Sequence, residues 1–254
     1  MEEQQKDFNM LYKLGKQAPK KDDRTLKLAK YLSPELPPFP PSVSYSDNLT
    51  NWGMMLNDRL GCCTCSAGGH QIQNWTNCNG DLFTPPDSAI LKAYEDVSGY
   101  DPRTGDNDNG ANMLDVMKYL QKTGIAGRKI GPYLSIDIKN KTEVKTAIYL
   151  FGSINIGVML PRSAQGQTEW DVVDWTLNGD AAPGSWGGHD VIITGYGDGY
   201  REVITWGQRM EMTAWFWDSY VDEAFVILDD EWLTNDIAPN HFNKELLLQD
   251  LSAL

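Results

Sequence analysis

Four cysteines and three histidines are the natural candidates for nucleophilic or acid–base work in this 254-residue chain. Three of the cysteines crowd into Asn57-Asp58-Arg59-Leu60-Gly61-Cys62-Cys63-Thr64-Cys65-Ser66-Ala67-Gly68-Gly69-His70. A histidine stands far downstream in Gly187-Gly188-His189-Asp190-Val191-Ile192-Ile193-Thr194-Gly195-Tyr196-Gly197. A thiol at a helix N-terminus feels the partial positive charge of free N–H groups, which favours thiolate. The same N–H groups can donate to an oxyanion that develops during attack on a carbonyl. A thiol and an imidazole brought together by folding make a nucleophile with its base.

Two other readings of the cysteines compete with that one. A metal site needs converging ligands, and adjacent cysteines at a helix start diverge, with no second ligand pair in the sequence. A free cysteine is often a small buried apolar residue, which suits Cys65 and Cys78, and Cys62 as well. Among the histidines, His70 lies seven residues after Cys63, roughly 10 Å of rise on one helix and beyond hydrogen-bond reach. His241 belongs to a C-terminal tail and reads as solvent-facing or structural. His189 opens a strand-like run and reaches Cys63 only through tertiary folding.

The elements that must hold these residues follow from periodicity and punctuation. Thr25 to Leu32 reads as a short helix, and Pro34 to Pro41 as an extended proline-rich arm. Helices are expected from Cys63 to about Asn77, after Pro85-Pro86-Asp87 up to Gly99, and from Met113 to Gln121. A further helix runs from Glu143 to Phe151, with Thr142 as its N-cap. Ser153–Leu160, Asp190–Thr194, Glu202–Thr205 and Glu223–Leu228 read as strands, with a helix over Thr213–Tyr220 and another over Phe242–Leu251. Helices precede strands, so an α+β fold of two segregated lobes is expected. The organisation read from this is an N-terminal helix and arm over 1–41, a two-lobed domain over 42–235 and a helical tail over 236–254.

Composition narrows the partners. A formal net charge of −13 repels phosphate on average, so neither nucleic acid nor an acidic membrane is an expected partner. No stretch is long and apolar enough for a membrane span, and the charged first 30 residues lack a secretory h-region, so a cytoplasmic location is expected. The oxygen-rich run Asp101 to Gly110 departs from calcium-loop spacing and reads as a polar turn. No cofactor and no metal are expected, and the oligomeric state is not encoded legibly.

The blocks Asn57–Ala67 and His189–Gly197 resemble the two active-site blocks of papain-like (C1-type) cysteine peptidases, with Cys before His by more than a hundred residues. Pro41-Ser42-Val43-Ser44-Tyr45 is similar to the start of a mature papain-like domain. The whole chain more closely resembles a group of bacterial and phage proteins with a Trp-Gly-Met-x-x-Asn-Asp-x-x-Gly-Asp-Cys block and a later Val-Thr-Trp-Gly block. These match Trp52 to Cys63 and Ile204-Thr205-Trp206-Gly207 here.

The resemblance implies a helical lobe carrying Cys63, an antiparallel β-rich lobe carrying His189, and acyl transfer between them on a peptide or other amide. Two registers are open. Cys63 as nucleophile puts Asn57 at the oxyanion position. Cys65 puts Arg59 there and implies a disulfide for Cys62. The closer group selects Cys63. The usual third member, an Asn before Ser-Trp-Gly, is replaced, and counting from His189 puts Thr205 in its place, under the cover of Trp206. The expected activity is a thiol-dependent amide hydrolase with Cys63, His189, Asn57 and Thr205 as its site. A catalytically degenerate module with a binding or structural role, such as a phage particle component, is the rival.

Overall fold

The structure is a computed structural model in which residues 12–33, 39–229 and 242–253 are described. Three helices fill the first half: α1 (Cys63–Cys78), α2 (Asp87–Ser98) and α3 (Met113–Lys122). Later come α4 (Lys141–Phe151), α5 (Ala214–Tyr220) and α6 (Lys244–Ser252). The strands are β1 (Val43–Ser44), β2 (Tyr133–Ser135), β3 (Ile154–Leu160), β4 (Glu169–Trp170), β5 (Gly187–Tyr196), β6 (Tyr200–Thr205), β7 (Gln208–Thr213) and β8 (Val221–Ile227). They form one sheet in the order β2-β8-β3-β5-β6-β7-β4, with β1 paired to β5. Every pairing is antiparallel except β4 with β7. The α+β expectation holds, helices first and sheet second.

Each lobe has its own core. Ile72, Ile90, Tyr94, Leu114, Met117 and Leu120 are among the buried residues of the helical one. Ile154, Ile156, Val158, Val191, Val203 and Phe216 are among those of the sheet. A small third cluster stitches the lobes together: Ala67 of α1 against Ile192 of β5 and Ile204 of β6, closed by Leu49 and Trp52. Residues four apart share a helix face. Cys63 therefore lies one turn before Ala67 on the sheet-facing side of α1, while Cys65 and Ile72 turn into the helical core. The placement of the thiol follows from this amphipathic split of one helix.

Several local expectations are corrected. The Thr25–Leu32 segment is a single 3-10 turn over Leu28–Lys30, because Leu28 and Tyr31 are fully buried in the sheet-side core and the chain follows that packing. The α4 helix is capped by Asn140, not Thr142: the Asn140 side chain accepts from the Glu143 N–H. Cys78 is exposed, since α1 ends beside solvent. All four cysteines are free, so the disulfide implied by the Cys65 register is absent. His241 and the tail expected from 236 to 241 lie outside the described residues. No helix among the described residues is long and apolar enough to cross a membrane.

Candidate active site

Cys63 is the first residue of α1 and is 1% exposed. The turn before it is fixed by Asp108, whose Oδ1 accepts from the Gly61 N–H at 2.8 Å and from the Tyr94 hydroxyl at 2.7 Å. The oxygen-rich loop thus shapes the start of α1. No group of three or more His, Cys, Asp or Glu suited to a metal occurs among the described residues.

His189 lies in β5, 1% exposed, with Nε2 2.8 Å from Thr205 Oγ1. Trp206 stacks on the imidazole at 4.3 Å between centroids and 15° between planes, covering that bond. Trp206 holds this position at φ 44°, a left-handed backbone that a bulky residue adopts at a cost of about 1–3 kcal/mol. His189 Nδ1 is buried and has no hydrogen-bond partner. Gly15 donates its N–H to the Gly188 carbonyl beside His189 and packs on Gly61, two residues before Cys63, so thiol and imidazole flank one segment.

Asn57 is 2% exposed. Its Nδ2 donates to the carbonyls of Leu60 and of Lys13, each at 3.1 Å. Trp206 Nε1 donates to the same Lys13 carbonyl at 3.2 Å. An amide and an indole N–H thus converge on one carbonyl oxygen of the N-terminal segment. Arg59 is directed elsewhere: it is largely exposed and pairs with Asp58 and Asp87. Cys65 is fully buried in the helical core. Cys62 is buried there too, its sulfur against the Met55 carbonyl and Ser66 Oγ. The structure therefore groups Cys63, His189, Thr205 and Asn57 around one seam and leaves Arg59 and Cys65 outside it.

What covers the seam is a segment that the sequence reading does not single out. Residues 13–17 run through it and are tied to both lobes. The Lys13 N–H donates to the Asn57 carbonyl, and the N–H groups of Gly15 and Lys16 share the Gly188 carbonyl. On the helical side, Ala111 N–H donates to Gly15 O and Gln17 N–H to Ala111 O. Glycines make this backbone-on-backbone passage possible. A Cβ on Gly188 would meet Lys16 O at 2.2 Å, and one on Gly15 would meet Gly61 O at 1.8 Å. The two glycines ahead of His189 were the available signal, since side chains are missing where another backbone approaches.

Burial beneath this segment sets the protonation states. It pushes the Cys63 thiol well above its ordinary value, with the Asp190 side chain adding to the effect and the N–H groups of Asp190 and Gly15 opposing it. It pulls His189 down to about 3, with His70 contributing a smaller part. Covered, burial favours the neutral thiol and the neutral imidazole over the ion pair. Next to the covered seam, a cavity of about 380 Å³ is lined by residues that include Tyr12, Trp170, Trp206 and Met210.

His70 is structural. Its Nε2 lies 3.0 Å from the Gly53 carbonyl, its ring meets Trp52 edge-on, and burial lowers it to about 4. The unfolded imidazole takes up a proton near pH 6.5 and the folded one only near 4. His70 thus contributes stability above pH 6.5 that is lost as pH falls toward 4, on the order of 3 kcal/mol. Asp190 and Glu223, both raised chiefly by burial, work in the opposite direction over the same range. A difference measurement isolates the imidazole. In urea melts, the destabilisation caused by His70→Gln is expected to shrink by roughly that amount between pH 7.5 and pH 4. A pH-independent difference would mean that His70 is not held neutral.

Solved structures with the same architecture include cysteine proteases. Xylellain, a cysteine protease from Xylella fastidiosa, superposes with a TM-score of 0.67 at 16% identity, covering 86% of this chain and 97% of xylellain. Digestive procathepsin L 3 of Tenebrio molitor superposes at 0.60 and 13% identity, over 88% of this chain and 79% of its own. A recombinant stem bromelain precursor does so at 0.57 and 13% identity, over 89% and 80%. The chain has the papain-like cysteine protease fold. No protein-family model and no curated protein sequence matches it.

Proposed function

We propose that this chain is a thiol-dependent amide or peptide hydrolase whose cleft is filled, in the described state, by its own residues 13–17. The observation that carries the reading is the Thr205–His189 hydrogen bond under Trp206, with the helix-start Cys63 beside it. A buried hydroxyl fixing one imidazole nitrogen has a clear use when the other nitrogen, here unpartnered, must exchange a proton with a thiol and a leaving group.

With the segment withdrawn, water and substrate reach the seam and the burial that keeps both groups neutral is relieved. Cys63 thiolate adds to the amide carbonyl carbon. The negative charge passes to the carbonyl oxygen, held by Asn57 Nδ2 and the Cys63 N–H. Imidazolium His189 gives its proton to the leaving nitrogen as the C–N bond breaks, leaving a thioester on Cys63. His189 then takes a proton from water, which attacks the thioester, releases the acid and restores the thiolate–imidazolium pair.

Thr205→Val tests the orienting role. Valine keeps the shape and removes the hydroxyl, so kcat is expected to fall about 10- to 100-fold with little change in KM, and the acidic limb of the pH–rate profile to move. An unchanged profile and rate would remove Thr205 from the site.

One observation favours the rival, a module with no turnover: the thiol and the imidazole are both buried, which favours their neutral forms, and His189 Nδ1 meets no partner. That reading predicts that Cys63 stays unreactive even after the segment is displaced. E-64 is bound by the Carica candamarcensis cysteine protease CMS1MS2. It is a suitable probe here: covalent addition at Cys63 supports the hydrolase reading.

A further inference from the structure

The residue that anchors the covering segment is Lys16. Its side chain is fully buried, and its Nζ lies 2.8 Å from Asp222 Oδ2 and 3.1 Å from Glu223 Oε1. A lone buried ammonium is expensive unless a site is built for it. The sheet builds one. In the strand register, Gly157 of β3 faces Asp190 of β5 on one side and Glu223 of β8 on the other. A glycine between two carboxylates on neighbouring strands leaves a pit with acidic walls. A Cβ at Gly157 would lie 2.0 Å from Lys16 Cε, so the missing side chain is the room the lysine stem uses. The register shift between Gly157 and Val158 is the place where β8 supplies Asp222 to the same pit.

The acceptors outnumber the donors that Lys16 brings. Asp222 Oδ1 and Glu223 Oε1 are buried without a hydrogen-bond partner, and the Glu223 contact with Lys16 is an ion pair without hydrogen-bond alignment. The Asp190 carboxylate meets the Asn155 amide when that amide is turned to donate. An ammonium has three donors on one atom, whereas a guanidinium has five spread over a planar fork. The pit is thus only partly satisfied by lysine.

We propose that this acidic pit is the specificity pocket of the cleft and takes a basic side chain of the substrate, arginine ahead of lysine, once Lys16 has withdrawn. Lys16 is the chain's own occupant. Its backbone N–H meets Gly188 O, next to His189, so a substrate residue seated in the pit is held one strand position from the imidazole. The inference rests on the hydrolase reading and names its substrate class.

The test uses the full-length chain carrying Gly15→Val, which displaces residues 13–17, and four peptidyl acyloxymethyl ketones that differ only in bearing arginine, lysine, norleucine or glutamate at one position. The readout is the rate of covalent capture of Cys63, mapped by peptide mass. The expected order is arginine, lysine, norleucine, glutamate, with arginine at least about 10-fold above norleucine. Asp222→Asn with Glu223→Gln brings arginine down to the norleucine rate. Asp222→Asn alone, at the partly exposed carboxylate, does so in part and covers the case where the double variant does not fold. Capture of Cys63 at equal rates by all four reagents overturns the pocket and leaves the hydrolase reading intact. No capture by any reagent, on a thiol that small alkylating agents do reach, overturns the hydrolase reading and the pocket with it.

Discussion

Gly15→Val is expected to open the cleft. A Cβ at residue 15 would sit 1.8 Å from the Gly61 carbonyl oxygen and 2.4 Å from its carbon. Those are backbone atoms, and no rotamer change moves them. Gly61 cannot retreat either, because its N–H is held at 2.8 Å by Asp108 at the start of α1. The segment must therefore leave, giving up the hydrogen bonds of Gly15 and Lys16 to Gly188 and that of Ala111 to Gly15. Overpacking costs of about 1–3 kcal/mol correspond to a shift of roughly 10- to 100-fold toward the open state. The measurement is the reaction of native protein with a colorimetric disulfide. In the wild type, exposed Cys78 reacts fast and the buried Cys62, Cys63 and Cys65 react slowly. In Gly15→Val a second thiol, Cys63, joins the fast class. A count that stays at one would mean that residues 13–17 do not control access.

The second large effect is loss of turnover on removing the thiol. In the Gly15→Val background, on the peptide amide cleaved fastest, Cys63→Ala is expected to lower kcat/KM by about 10⁴-fold or more. Thermal stability should change little, since Cys63 lies at the seam between the lobes. Cys65→Ala is the contrast: that residue is fully buried in the helical core, so stability suffers while the uncovered site keeps its chemistry. If Cys65→Ala abolishes turnover in folded protein and Cys63→Ala does not, the nucleophile has been misassigned.

The expectations that survived contact with the structure share a physical basis. Helix limits at Cys63, Gly99 and Phe151 were legible because glycines, prolines and the 3.6-residue spacing are local signals, and Gly99 and Gly152 take the left-handed conformation that ends α2 and α4. Gap-free counting from His189 puts Thr205 at the position of the family's third residue. The β5–β6 pairing, despite its register shift between Ile193 and Gly195, sets the Thr205 hydroxyl 2.8 Å from the imidazole. The β7 strand was missed, although Met210 and Met212 alternate with Arg209 and Glu211. Its period-2 signal is only six residues long and runs straight into α5.

The covering segment was out of reach for a different reason. Lys13 to Gln17 has no periodicity, and its contacts are made by backbone groups and by glycines on the opposite walls, which any sequence can supply. The proline-rich arm expected over Pro34 to Pro41 lies outside the described residues from 34 to 38. The acidic pit was hidden in the same way as the covering segment. Gly157 reads as a weak point in a strand until the register places Asp190 and Glu223 on either side of it.

The central claim is that Cys63 and His189 form a nucleophile–base pair kept latent by the chain's own segment. The most direct measurement is a brief, substoichiometric iodoacetamide pulse at pH 6, mapped to individual cysteines, on Gly15→Val and on Gly15→Val with His189→Ala. The account predicts that Cys63 is labelled first in the single variant, ahead of exposed Cys78, and that its rate falls about 100-fold when the imidazole is removed. Labelling of Cys78 ahead of Cys63 in the uncovered protein, indifferent to His189→Ala, would contradict it and leave a papain-like scaffold without a working thiol.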